Sequence, residues 1–157
     1  MKEKILDAFK ALGFVMEDLE GHGYGFHYEG KHFIYMYNED DEDFLNIALP
    51  GIMDMEDVDE QTCYQLMNKL NAQRMYIKAY LCNDSIWLFY ERELFGGEDL
   101  KKLLSRMILH LHAGFYAFRS MMDDTSDEYD NDDEHDDSDS NDGSPEFTEI
   151  IDKEDVA

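Results

Sequence analysis

Apolar residues recur along this chain with two different periods, and the changes of period divide it into elements. Ile5, Ala8, Phe9 and Leu12 lie at i, i+3, i+4 and i+7, the pattern of one buried helix face, and Gly13 supplies a stop. From Phe14 the helical period is lost. YGFHYE and KHFIYMYN read as strands joined by a hairpin at Glu29-Gly30, and the stretch 14–20 allows a short strand ahead of them. NEDDED is a polar turn, and FLNIAL is the next strand, closed by Pro50-Gly51. A second helix is predicted from near Asp57, where Asp57 and Glu60 have capping-box spacing and Cys63, Leu66, Met67 and Leu70 make the apolar face. MYIKAYLC and SIWLFYERE then form a second hairpin about Asn83-Asp84, ended by Gly96-Gly97.

The last helix carries the longest stripe: Leu100, Leu104, Met107, Leu111, Phe115, Phe118 and Met122 follow one another at spacings of four and three. Glu98 and Asp99 at its start favour the positive end of the helix dipole. The order is thus helix, three-stranded antiparallel unit, helix, β-hairpin and long C-terminal helix. Hairpin-linked strands with helices between the blocks predict an α+β domain with an antiparallel sheet.

The strands alternate poorly between apolar and polar residues, although a sheet with one wet face should alternate cleanly. Tyr24, Tyr28, Tyr35, Tyr37, Tyr76, Tyr80 and Tyr90 are candidates for a second, aromatic face. Leu109 and Tyr116 lie off the core stripe of the last helix and extend the candidate contact surface. Such residues suit a partner or dimer surface because they bring large contact area at low rotamer cost. The alternative is that the helices cover both faces between them.

Charge separates the chain into two parts. Of 38 Asp/Glu and 13 Lys/Arg, residues 123–157 hold 17 acids and one lysine. That leaves a net of −16 there and −9 in residues 1–122, which together make the total of −25. The run TSDEYDNDDEHDDSDSNDGSPE has almost nothing apolar to offset the entropy of ordering, so residues 1–122 are expected to fold and 123–157 to form a disordered acidic tail. A body that is itself negative would be repelled by nucleic acid and by anionic membranes. The longest apolar run, MILHLHAGFYAF, is short for a membrane span, and MKEKILDAFKALGF is too charged for a secretory signal. Cys63 and Cys82 fit no paired motif and read as thiols in a reducing compartment, which points to the cytoplasm.

Catalytic and metal signals are weak. The alternating glycines of GHGYG precede no helix, so they form no phosphate cradle, and Ser85 and Ser105 have no histidine near in sequence. His27 and His32 oppose one another across the predicted hairpin, but two ligands are too few for a firm transition-metal site. His110 and His112 face different sides of a helix and cannot chelate together. In the tail, Asp137, Asp139 and Asn141 have the spacing of an EF-hand loop, but the glycine, Gly143, is misplaced and Thr148 stands at position twelve. Ser126, Ser138 and Ser140 sit among acids, a context for acid-directed phosphorylation. No cofactor and no metal is expected.

The ALGF ending of the first helix, the FHYEGKHFIYMYN hairpin, the segment MNKLNAQRMYIKAYL with Asn68 and Asn71, the strand SIWLFYEREL, the Gly96-Gly97 break and the long last helix are similar to a known pattern. Over residues 1–122 they resemble the type III secretion chaperone-like fold, and within it the YbjN-like group of small bacterial proteins. The resemblance implies small acidic dimers that bind an extended segment of a client, with YbjN-like members regulatory or of unknown role. It carries no catalytic residue, and Asn68 and Asn71 read as helix-end caps. The sequence therefore predicts a non-enzymatic cytoplasmic protein-binding domain whose partner is a client protein or a second copy, with no nucleic acid or membrane as partner. The alternatives are a regulatory sensor of a small molecule or metal centred on His27 and His32, and an acidic mimic of nucleic acid acting through the tail.

Overall fold

The computed structural model describes residues 1–129. Helix α1 (Lys2–Ala11) is followed by strands β1 (Glu17–Asp18), β2 (Tyr24–Tyr28), β3 (Lys31–Met36) and β4 (Phe44–Asp54). Helix α2 (Glu60–Gln73), strands β5 (Ile77–Cys82) and β6 (Ser85–Glu93), and helix α3 (Leu100–Tyr129) complete the order. The strands form one antiparallel sheet in the order β1-β2-β3-β4-β6-β5. The α+β architecture read from the sequence is the one observed. The expected tail contributes its first residues to α3, which passes Met122 and continues through the acidic stretch to Tyr129. The EF-hand-like spacing, Ser138, Ser140 and the rest of the expected tail lie outside the described residues.

Local chemistry accounts for the turns. Glu29 and Gly30 have φ of 47° and 73°, and Asn83 and Asp84 have 49° and 64°. Two successive positive φ values make the tight turn whose twist matches a hairpin. At Pro50-Gly51 the chain does not leave the sheet as expected. The register steps from Leu49 opposite Leu88 to Met53 opposite Ile86, so two extra residues bulge out and β4 runs on to Asp54. A bulge is where a central strand can tolerate a proline, and Gly51 takes a φ of 61° there.

The cap of α2 also differs from expectation. Met55–Asp57 forms a short 3₁₀ turn, and the true N-cap is Asp59, whose carboxylate accepts from the Thr62 backbone N–H at 2.9 Å and from the Thr62 hydroxyl. These hydrogen bonds hold the Asp59 carboxyl below its usual pKa. At the other end of the domain Glu98 accepts from the backbone N–H groups of Phe95 and Gly96 at 2.7 and 3.0 Å, which lowers its pKa likewise. Asp99 accepts from the Lys102 N–H at 3.2 Å and caps α3.

All three helices pack on one face of the sheet. Cross-strand rows such as Tyr35–Ile47–Tyr90–Ile77 and Phe26–Phe33 on that face join Ile5 and Phe9 of α1, Cys63, Leu66 and Leu70 of α2, and Leu104, Met107, Leu111 and Phe118 of α3 in a single core. Helix α3 is central to it, touching α1, α2, β4, β5 and β6. It comes close to the sheet at buried Gly114, where an added Cβ would overlap Ile77 Cδ1 and stand 3.3 Å from Leu88 Cδ1. A glycine inside a helix costs about 1 kcal/mol relative to alanine, so its presence here reflects the need for close contact. Gly114→Ala is expected to lower stability by about 1 kcal/mol, overpacking of 1–3 kcal/mol exceeding the propensity gain. Ile77→Val removes the overlapping methyl. The double variant should therefore lose less than the sum of the two single changes, a coupling that urea unfolding midpoints of the four proteins would measure.

Candidate interaction surface

The opposite parity of the same strands makes a sheet face that no helix covers among the described residues. Gly25, Ile34, Ala48, Phe89 and Lys78 form one row across it, and Met36, Asn46 and Glu91 another. Ile34, Ala48 and Phe89 are buried yet belong to no part of the helix-side core. Phe89 is only 2 % exposed because its neighbours lie over it. The Tyr80 ring stacks on it at 4.2 Å with an interplanar angle of 6°, and the half-buried Trp87 ring lies 6.0 Å away. Trp87 is fixed by its Nε1–H, which donates to Ser85 Oγ at 3.0 Å, while the Ser85 hydroxyl donates to the Cys82 carbonyl at 3.2 Å. The result is a rigid aromatic platform on β5 and β6. Burial, with Glu91 beside it, raises the Tyr80 pKa, and burial raises that of the Cys82 thiol, so both stay neutral near neutral pH.

A polar group borders the platform. Lys78 pairs with Glu91, whose carboxylate also accepts from Asn46 Nδ2 at 3.4 Å. Asn46 is 8 % exposed, and among the described residues its Oδ1 has no hydrogen-bond partner. A buried acceptor left unmade costs about 1–3 kcal/mol, and a donor from an incoming molecule would recover it.

Several predicted contact residues are placed elsewhere. Tyr35 and Tyr90 are buried on the helix-covered face, Tyr35 at 1 % exposure, with Phe9 5.8 Å from its ring. Tyr24, Tyr28 and Tyr37 are partly buried against the same core. Tyr76 is exposed but precedes β5, and it stacks on Tyr90 and lies at a tilt against His110 rather than on the open face. Of the seven tyrosines only Tyr80 is on the open face. The expected tyrosine face is corrected on this point: it pooled residues of both strand parities, and the pairing register separates them. Trp87, Phe89, Ile34 and Met36 take their place. Leu109 and Tyr116 are exposed on α3, as expected.

His27 and His32 are opposed as predicted, with ring centroids 5.0 Å apart. His32 folds over Gly25, where an added Cβ would come within 2.6 Å of its Nε2. Among the described residues no group of three or more His, Cys, Asp or Glu could hold a metal ion. His110 and His112 do face apart, the first against Tyr76 and Tyr90, the second between Tyr28 and Tyr116. Among the described residues no helix is long and apolar enough to cross a membrane.

The sheet edges are less available than the face. β1 is two residues long. On β5, Asn71 from α2 acts as a surrogate strand: its Nδ2 donates to the Ala79 carbonyl at 3.0 Å and its Oδ1 accepts from the Ala79 N–H at 2.7 Å. Covering an edge in this way removes a template for strand addition. Asn71 thus closes a strand edge instead of capping its own helix, and Asn68 remains exposed on α2.

No family model matches the chain, and no curated protein matches it. A solved structure, described as an uncharacterized protein from Methanothermobacter thermautotrophicus, is similar with a TM-score of 0.58 at 14% identity, over 79% of this chain and 97% of that one. At that identity the likeness shows a shared fold alone. Asn71→Leu should leave the fold intact and accelerate exchange of the Ala79 amide hydrogen selectively, by about 5- to 30-fold for a pair that contributes about 1–2 kcal/mol. Residue-resolved hydrogen exchange by NMR measures this directly.

Proposed function

We propose that this chain is a non-enzymatic, cytoplasmic protein-binding domain that captures an extended segment of a client on its open sheet face. The observation that carries the reading is the Tyr80–Phe89–Trp87 stack on a face that no described helix covers. Trp and Tyr are enriched among the residues that dominate binding energy at interfaces. The unpartnered Asn46 Oδ1 adds a place for one donor from the incoming segment. Because Asn71 occupies the β5 edge, capture falls to side-chain packing on the face rather than to strand addition. The resemblance to YbjN-like and type III secretion chaperone-like proteins, which implies binding of an extended client by a dimer, supports the same reading. A metal sensor centred on His27 and His32 would need a further ligand that the described residues do not bring to them.

The test is affinity capture from native extract with the full chain, alongside Tyr80→Glu/Trp87→Glu, with circular dichroism to confirm that the variant is folded. The partner should bind the parent chain and lose at least about 30-fold in affinity to the variant, since two hot-spot side chains contribute 2 kcal/mol or more. A partner retained equally by the folded variant would remove the open face from the function.

A further inference from the structure

We propose that the outward stripe of α3 is a docking surface for the chain's own C-terminal segment, residues 145–152. Residues 100–122 contain Lys101, Lys102, Arg106 and Arg119 and no Asp or Glu, in a chain with 38 acids and 13 Lys/Arg. The basic residues are exposed, and between Arg106 and Arg119 lie Leu109 and Tyr116, 53% and 56% exposed. With exposed Ala113 they follow one another at i, i+4 and i+7, an apolar stripe about 10 Å long. Lys31 of the β2–β3 hairpin adds charge at one end, its Nζ donating to the Tyr116 hydroxyl at 3.3 Å and sitting 4.7 Å from that ring. Among the described residues, none of Lys31, Arg106 and Arg119 is in an ion pair with a carboxylate.

The surface therefore asks for an apolar segment flanked by acids. The stretch PEFTEIID supplies it: Phe147, Ile150 and Ile151 have the i, i+3, i+4 spacing that puts three side chains on one side of a helical turn, and Glu146, Glu149 and Asp152 surround them. The reach also fits. From Tyr129 back to Ala113 is 16 residues of helix, about 24 Å. Residues 130–147 number 18, and a random-coil linker of that length would have a root-mean-square span of about 21–25 Å. A linker whose span matches the separation gives the greatest effective concentration, in the millimolar range, so the contact needs little intrinsic affinity. That arithmetic favours the segment of the same chain over one from a second copy.

The experiment uses the full chain with Phe147 replaced by the photo-crosslinker p-benzoylphenylalanine, at about 1 µM so that intermolecular contact is rare against a millimolar effective concentration. Crosslinks are expected within one chain, on residues 106–119. Their yield should fall at least about fivefold in Arg106→Glu/Arg119→Glu and in high salt, because exposed charges are screened. It should be unchanged in Tyr80→Glu/Trp87→Glu, which separates this contact from the sheet face. If the charge-reversed protein fails to fold, Arg106→Gln/Arg119→Gln gives the same comparison. Crosslinks scattered over the domain, landing on the open face, joining two chains, or unaffected by the arginine changes would overturn the proposal.

Discussion

The contact of α3 with the sheet at Gly114 sets the architecture on both sides. Without a side chain at that position the helix comes down onto Ile77 and Leu88, and its long apolar stripe packs against β4, β5 and β6 and the two other helices. α1 and α2 then pack beside α3 on the same face, each completing the core from one flank. The three described helices all lie on one face and leave the other open. The exposed aromatic face is what remains when the three described helices share the other side.

A face left open in this way has to be stable without a cover. Here the solution is lateral: Phe89 and Ile34 are shielded by neighbouring side chains of the sheet itself, Tyr80 and Trp87 by stacking and His32 by lying across Gly25. The edges are handled separately, one by its brevity and the other by Asn71. These features lower the risk of edge-to-edge aggregation while keeping a flat, preformed surface. Preformation matters for binding because rings already fixed lose little rotamer entropy when a partner arrives.

The elements were legible in the sequence because each rests on local chemistry. Asn83-Asp84 and Glu29-Gly30 mark their hairpins by turn preference, and the stripe from Leu104 to Phe118 is too regular to be anything but a helix. What could not be read was parity. Tyr35 and Tyr80 look alike in sequence, yet one is in the core and the other on the open face, because their fates depend on register with β4 and β6 and on which face the helices take. The signal for the true platform was present in SIWLFYE, where Trp87 and Phe89 alternate with Ile86 and Leu88, but alternating apolar residues on both faces give no sign of which is covered. Pro50-Gly51 misled for a similar reason: a turn-forming pair became a bulge because the strand beyond it, ending at Asp54, pairs with the start of β6. Asp59 replaced Asp57 as the cap since the 3₁₀ turn occupies the earlier residues.

Cover of the open sheet face in the cell is measured by hydroxyl-radical footprinting of the full chain in cells and after purification. Met75, 76% exposed and off the face, serves as an internal reference. Trp87, Tyr80 and Met36 should be oxidised severalfold more slowly in cells than in the purified protein, with Met75 labelled alike in both. Equal oxidation of Trp87 and Tyr80 in the two states would contradict the account.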